Sequence, residues 1–292
     1  MPAQMPAIPW HKPRKADPRQ PLSRSLIVET AIRVLDAEGL SGVTMRRVAQ
    51  ELGTGPASLY AHVSNKEELF ELMLERVVAE IRLPLRPEPE RWKEQITEIC
   101  FEAQRVLTAH RDVSLVSLGS IPIGESQLRI TEFLLDLLLQ VGLPPQVAAW
   151  ALDGLGQLID TDAYEASVYT ERMARGTDLG AYFDQLRGYL HDLPTDRFPT
   201  LQGMADTMMT GDGDQRYAFK IEVFLRGLES FLPAEARTGA SAGAGTGAGA
   251  GTWAPADRAG LVSDGPGWHG AAGGSGRAGG SERADDSGPA GG

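Results

Sequence analysis

The chain carries one cysteine, Cys100, in 292 residues. No internal disulfide can form, and a lone cysteine inside an amphipathic segment reads as a small buried hydrophobe. Long apolar runs are missing too. With no stretch of about 18 consecutive apolar residues and no apolar core in the N-terminal segment, neither a membrane span nor a secretory leader is expected, and the expected location is the cytoplasm. The five histidines, His11, His62, His110, His191 and His269, include no pair at metal-ligating spacing. No nucleophile–base pair and no phosphate loop stand out. An enzyme, a metal centre and a cofactor are therefore not expected. Strand alternation and fixed-period repeats are absent, which leaves an all-α chain.

What is present is unevenly spread. From about Arg237 onward the text is rich in Gly, Ala and Ser and holds 18 of the 34 glycines. Without an apolar period it buries too little surface to offset chain entropy, so residues 237–292 are expected to be a disordered tail. Trp253 and Trp268 within it are candidate binding motifs or inert. The formal net charge is −11, yet residues 1–66 hold 9 Lys+Arg against 5 Asp+Glu, a balance of +4, and the remainder holds 19 against 34, a balance of −15. Such asymmetry, not the total, marks a nucleic-acid surface, and the acidic bulk suppresses non-specific adhesion by the other faces. Residues 1–21 form a proline-rich basic arm. Its Lys12, Arg14, Lys15 and Arg19 have two open readings, a minor-groove contact or an inert tail.

The foldable middle, roughly 215 residues, is long enough for a small domain joined to a larger one. Ser23 caps a first helix with Ile27, Ala31, Ile32 and Leu35 at helical spacing and Gly39 at its end. Thr44 caps a second short helix, TMRRVAQEL, with Val48 and Leu52 inward. Gly53-Thr54-Gly55-Pro56 breaks the pattern, and a third, very short helix, ASLYAHV, is anchored by Leu59 and Val63. Ser64 or Asn65 caps a fourth helix that runs toward Pro84. Two short helices joined by a Gly-containing turn behind an amphipathic helix form a helix-turn-helix pattern over residues 22–82. Residues 90–233 read as further helices: one over ERWKEQITEICFEAQRVLTAH, a short helix and loop after Arg111, one ending at Gly142, a long one from Pro145 through Val168, and a last one over DQRYAFKIEVFLRGLESFL. Between about Thr170 and Asp214 lies a polar stretch.

GVTMRRVAQELGTGPASLYAHVSNKEEL resembles the DNA-binding domain of the tetracycline-repressor (TetR) family. Gly42-Val43-Thr44, the Ala49 to Gly53 turn and the Leu59 to Leu69 ending stand in the family's register. LTAHRDVSLVSLGSIP, LLLQVGLPPQVAAWALDGLGQ and FPTLQGMADTMMTGDGDQRYAFKIEVFLRGL resemble, more loosely, the effector-binding and dimerisation domain of the tetracycline-repressor subgroup. The resemblance implies a helix-turn-helix domain plus a larger helical bundle, a homodimer on double-stranded operator DNA, and transcriptional control released by a small-molecule effector. A repressor fits best. An activator, or a DNA-binding protein without effector control, are the alternatives.

Residue chemistry at the DNA end follows. Thr44 offers a helix-start amide and a hydroxyl to a phosphate. Arg46 suits a guanine edge or a phosphate, and Arg47 a phosphate or solvent. Ala57, Ser58 and Ala61 are small enough to let a backbone approach base edges. Tyr60 and His62 suit phosphates on either side. Lys66 heads the fourth helix, an unfavourable place for a cation unless an anion is near. The resemblance implies phosphate contacts for Thr44, Tyr60 and Lys66. Each residue also has a plainer reading as packed or solvated surface.

For the effector, Asp153, Gln157, Asp160 and Tyr164 fall on one helical face, where they suit a cationic ligand or a solvated or interface stripe. Phe133, Trp150 and Met173 are candidate apolar lining or ordinary core. Ser117 stands where tetracycline-binding relatives place a metal-ligating histidine, and Ile121 replaces a polar neighbour, so a drug–magnesium complex is not the expected effector. Ala149, Leu152, Gly156, Ile159 and Ala163 form a small-residue face that fits a subunit interface, with Tyr217, Phe219, Ile221, Phe224, Leu225 and Leu228 of the last helix completing a four-helix contact. His110 with Arg111-Asp112 reads as a helix end.

Overall fold

A computed structural model of the protein describes residues 21–233; the tail read at 237–292 and the arm up to residue 20 lie outside the described residues. Among the described residues there are twelve helices, α1 to α12, and no strand, so the all-α expectation holds. Compactness divides the described chain at Glu171 and Tyr217: the segments on either side of these residues form one unit, and Arg172–Arg216 form another.

The first helices start where capping chemistry puts them. Helix α1 (Arg24–Glu38) begins after Ser23, whose hydroxyl accepts the Leu26 N–H at 3.2 Å, and ends at Gly39, whose N–H reaches the Leu35 carbonyl. Gly39 has φ +78°, and a Cβ there would lie 2.8 Å from an Asp112 carboxylate oxygen, so both conformation and space require glycine. Helix α2 (Met45–Glu51) is capped by Thr44. Helix α3 (Pro56–Leu59) is a single turn opened by proline, followed by a turn through His62. Helix α4 (Lys66–Val78) is capped by Asn65, whose side chain accepts the Glu68 N–H at 2.7 Å.

Helix α4 ends at Val78, short of the expected stop at Pro84. The reason lies in its neighbours: the Ile81 carbonyl is taken by Arg129 at 3.1 Å and the Arg82 N–H by Glu102, so backbone groups that would extend the helix have partners elsewhere. Helices α5 (Trp92–Ala109), α6 (Val113–Leu118), α7 (Glu125–Val141) and α8 (Pro145–Ala174) follow, with α12 (Gly213–Glu229) closing the first unit. Its core has two apolar clusters. One joins α1, α2, α3 and α4 to Ala103, Val106 and Leu107 of α5 and Val113 and Val116 of α6. The other holds Trp92, Ile96, Leu137, Leu138, Leu155, Tyr217 and Ile221. Ile130 and Ile159 pack against both. Cys100 is fully buried, and burial pushes its thiol up to about 12, so it is an inert packing residue as expected.

The polar stretch after Thr170, given no helix from sequence, contains three. Helix α9 (Leu179–His191) is capped by Asp178, and α10 (Pro199–Gly203) and α11 (Ala205–Met208) pack on it. Leu179 and Leu190 of α9 and Ala205 of α11 are buried, and His191 sits 3.1 Å from Asp206. The apolar period of α9 is short and interrupted by Gly180 and Gly188, which hides it in the sequence.

Candidate nucleic-acid interface and effector region

The recognition turn is built from the inside out. Leu59 is fully buried and Val63 nearly so. With those two anchors inward, Ala57, Ser58, Tyr60 and Ala61 are exposed, Tyr60 by 52%. A tyrosine ring left half in water, beside a row of small side chains, offers a flat approach with a hydroxyl at its edge. Thr44 is exposed at the start of α2 and uses one lone pair on the Arg47 N–H at 3.0 Å, which leaves its hydroxyl proton to donate. Lys66 is half-buried at the start of α4, with its ammonium 4.8 Å above the Phe70 ring.

The two arginines of α2 differ sharply. Arg46 is exposed and takes part in none of the described ion pairs. Arg47 is held from both sides: Nε donates to Glu38 and Nη1 to Glu51, both at 2.8 Å. Those two carboxylates, Glu38 first, raise its already high pKa and offset its charge. The geometry therefore gives Arg47 the task of tying α2 to the end of α1, and a DNA phosphate would have to compete with two glutamates for it.

Arg24 and Glu68 escape the sequence reading. Arg24 Nε donates to the His62 carbonyl at 3.1 Å, and Glu68 accepts the Ser64 N–H at 2.6 Å. That bond from Ser64 holds the Glu68 carboxyl below its ordinary range. Arg24 and His62 are 38 residues apart, so no local spacing signals the contact.

Of the six residues read from sequence for the effector region, the structure brings two together from different helices, Ser117 and Asp160. Ser117 on α6 stands beside Asp160 on α8, where its hydroxyl favours the ionised carboxylate. Asp160 is only 8% exposed, and burial without a cationic partner pushes its carboxyl up to about 7, the Ser117 bond working against that rise. Asp153 and Gln157 stay exposed and bond each other at 3.1 Å. Trp150 is 70% exposed. Asp153 and Asp160 share a helical face, but α6 covers only the level of Asp160. Phe133 is half-buried and lines a surface groove of about 440 Å³ with Leu83, Leu85, Arg129, Glu132 and Asp136. Met173 is exposed.

A neighbouring polar cluster was not read from sequence. Asp162 is buried two residues beyond Asp160 and receives Lys220 at 2.7 Å and Gln104 at 3.4 Å. Tyr217, fully buried, donates to the Cys100 carbonyl at 3.0 Å. Among the described residues no group of three or more His, Cys, Asp or Glu side chains is placed to hold a metal ion.

His110, Arg111 and Asp112 do end a helix, and they also grip α1. His110 Nδ1 lies 3.3 Å from Asp36 and Nε2 3.8 Å from Glu80. Arg111 reaches the Ala37 carbonyl and pairs with Glu171. Asp112 accepts the Leu40 N–H at 3.0 Å and is the one non-glycine residue with positive φ among the described residues. Glu75 of α4 meanwhile accepts the Ser126 N–H at 2.7 Å, at the positive end of α7.

Comparisons with known proteins agree on one family. The family of bacterial regulatory proteins named after tetR matches residues 27–73, and the tetracycline-repressor-like C-terminal domain matches residues 83–232. The HTH-type transcriptional repressor DrrR1 of Streptomyces coeruleorubidus is 30% identical over 229 residues, covering 77% of this chain and 83% of its own. The class D tetracycline repressor from Escherichia coli is 27% identical over 216 residues, covering 73% of this chain and 92% of its own. The crystal structure of ActR, a TetR family protein of Streptomyces coelicolor, in complex with actinorhodin is 39% identical, with a TM-score of 0.67 over 74% of this chain and 99% of that one. Among the described residues no helix is long and apolar enough to cross a membrane. The chain belongs to the TetR family of transcriptional regulators, as a helix-turn-helix DNA-binding protein and not an enzyme.

Proposed function

We propose that the protein is a homodimeric repressor that binds a palindromic operator through residues 22–82 and is released by a small molecule bound within residues 90–233. The observation that carries this reading is the recognition turn: Leu59 and Val63 are buried while Ala57, Ser58, Tyr60 and Ala61 face outward between Thr44 and Lys66. That arrangement presents a short helix to a major groove with phosphate-binding groups on both flanks.

Exposed apolar surface on α8 and α12 supports the dimer. Trp150 of α8, Val223 of α12 and Phe231 just beyond α12 are more than half exposed, an expensive state for a lone chain. Gly156 and Gly227 have open space where a Cβ would stand, so nothing within this chain requires glycine there, although each weakens its helix by about 1 kcal/mol relative to alanine. Close approach by a second copy accounts for both. Two recognition helices would then meet successive major grooves about 34 Å apart.

Support for an effector comes from the Ser117–Asp160 pair, a buried acid with no cation, which favours a ligand that brings a hydrogen-bond donor or positive charge. The relative ActR binds actinorhodin, and a ligand of that kind is the first to try. Release requires tighter binding to the state that does not fit DNA, a coupling of about 1–3 kcal/mol. The second reading is a DNA binder without effector control. Titrating actinorhodin into a complex of the protein with a duplex enriched from a random pool, followed by light scattering, separates them. The first reading expects a dimer on DNA that dissociates as ligand is added. A DNA complex indifferent to every ligand tried supports the second, and a monomer on DNA contradicts the dimer.

A further inference from the structure

The groups that hold the recognition turn in place come from helices outside it, and one of them carries positive charge to the same face. Helix α3 is one turn long and has no side-chain N-cap, so it cannot hold itself in register. The turn that follows it, through His62, leaves a carbonyl outside any helix. Arg24, the first residue of α1, supplies a partner for it: its Nε donates to the His62 carbonyl at 3.1 Å. Glu68 of α4 fixes the other end of the same segment through the Ser64 N–H at 2.6 Å. Arg24 Nη2 and Glu68 Oε1 stand 3.6 Å apart, so the two holders also face each other. The turn from His62 to Ser64 is thus clasped between one cation and one anion from different helices.

A carboxylate at that position is a liability near DNA. Glu68 lies two residues beyond Lys66, and its negative charge would repel an incoming phosphate unless offset. Arg24 offsets it. The Arg24 side chain is 61% exposed, and only its Nε is spent on the His62 carbonyl. The 3.6 Å separation from Glu68 is an ion pair and not a short hydrogen bond, so the Nη groups remain available to an anion. We propose that Arg24 is a further residue of the DNA interface: it locks the His62–Ser64 turn through the His62 carbonyl and, when DNA is bound, turns its Nη groups from Glu68 to a backbone phosphate. This rests on the reading of the recognition turn as the DNA-binding surface.

The test uses the full chain, the duplex enriched by the wild-type protein from a random pool, and a scrambled duplex of equal length. Affinity is measured from 50 to 300 mM salt for wild type, R24A, R24K and the R24A/E68Q double variant, each with a thermal melt to confirm folding. R24A is expected to weaken binding to both duplexes by about tenfold and to lower the salt slope by about one. R24K keeps the charge without the planar fork, so its slope stays at the wild-type value while affinity falls in between. E68Q removes the repelling charge but keeps an acceptor for the Ser64 N–H, so the double variant recovers part of the loss. An R24A affinity within twofold of wild type, or a loss with an unchanged salt slope, overturns the proposal. Failure of wild-type protein to bind any duplex would instead sink the DNA-binding surface itself, before a variant is made.

Discussion

The recognition turn and the polar seam between α6 and α8 use opposite strategies. At the turn, two apolar anchors, Leu59 and Val63, are buried, and the polar and small groups are left in water. At the seam, polar groups are themselves buried: Asp160 against Ser117, and Asp162 with partners 58 residues away in both directions, Gln104 and Lys220. Exposed polar groups stay hydrated and cost little to maintain, which suits the phosphate-binding role proposed for them. A buried acid without a cation is held at the expense of stability, which a ligand is able to relieve. The two regions meet through α1 and α4, where Glu75 holds the start of α7 and His110 to Asp112 grip the end of α1.

The largest expected effect breaks the turn. Leu59→Ala should destabilise the protein by about 2–5 kcal/mol and abolish specific DNA binding, read by denaturant unfolding and by binding to the enriched duplex. Retention of full affinity would show that the short helix does not depend on its anchor.

Asp160→Asn probes the seam. A carboxyl raised from 3.8 to about 7 on folding contributes stability that is fully present below the unfolded value and is lost as pH rises toward 7. The neutral amide removes that loss. D160N should be more stable than wild type at pH 8, by an upper bound of about 4 kcal/mol, with a higher melting temperature there and a gap that closes by pH 4. Equal melting temperatures at pH 8 would mean that Asp160 is not held desolvated.

The arginine pair sharpens the turn itself. Lys66→Ala should weaken binding to all duplexes and lower the salt slope by about one. Arg46→Ala should act on the DNA in the same way, with an added change of base preference if it reaches a base edge. Arg47→Ala should leave the slope unchanged, since Glu38 and Glu51 already hold its charge. A slope that falls in R47A would return Arg47 to the phosphate contacts.

The smallest effect is at the joint. His110 is raised above its ordinary pKa, first by its bond to Asp36 and further by Glu80, with burial opposing. The stability it contributes is present at low pH and lost as pH rises through a value above 6.5. His110→Gln should therefore flatten the fall in melting temperature between pH 6 and 8. Because Asp160 contributes a loss of the same sign, the comparison is best made in the D160N background.

Sequence legibility follows the same division. Ser23, Thr44, Asn65 and Gly39 act where capping rules place them, because a cap is decided by neighbours three or four residues away. The exposure of Ala57, Ser58 and Tyr60 follows from the buried anchors Leu59 and Val63. The Glu38 hold on Arg47 and the Arg24–His62 bond were hidden, because they depend on which helices cross, whereas Glu51 lies one turn along α2 from Arg47. At the seam the face of α8 was legible but its burial was not: Asp153 and Asp160 share a face, and only the crossing of α6 separates them. Asp162 was hidden for the same reason, and helix α9 because its apolar signal is broken by glycines.

In vitro selection from random duplex DNA with the purified protein, at one fixed salt concentration, tests the central claim most directly. The account predicts an enriched palindrome whose half-sites are spaced by about one helical turn or a multiple of it, with enrichment lost in Leu59→Ala. A pool that stays random while the wild-type protein is folded would contradict the recognition turn as a sequence-reading surface.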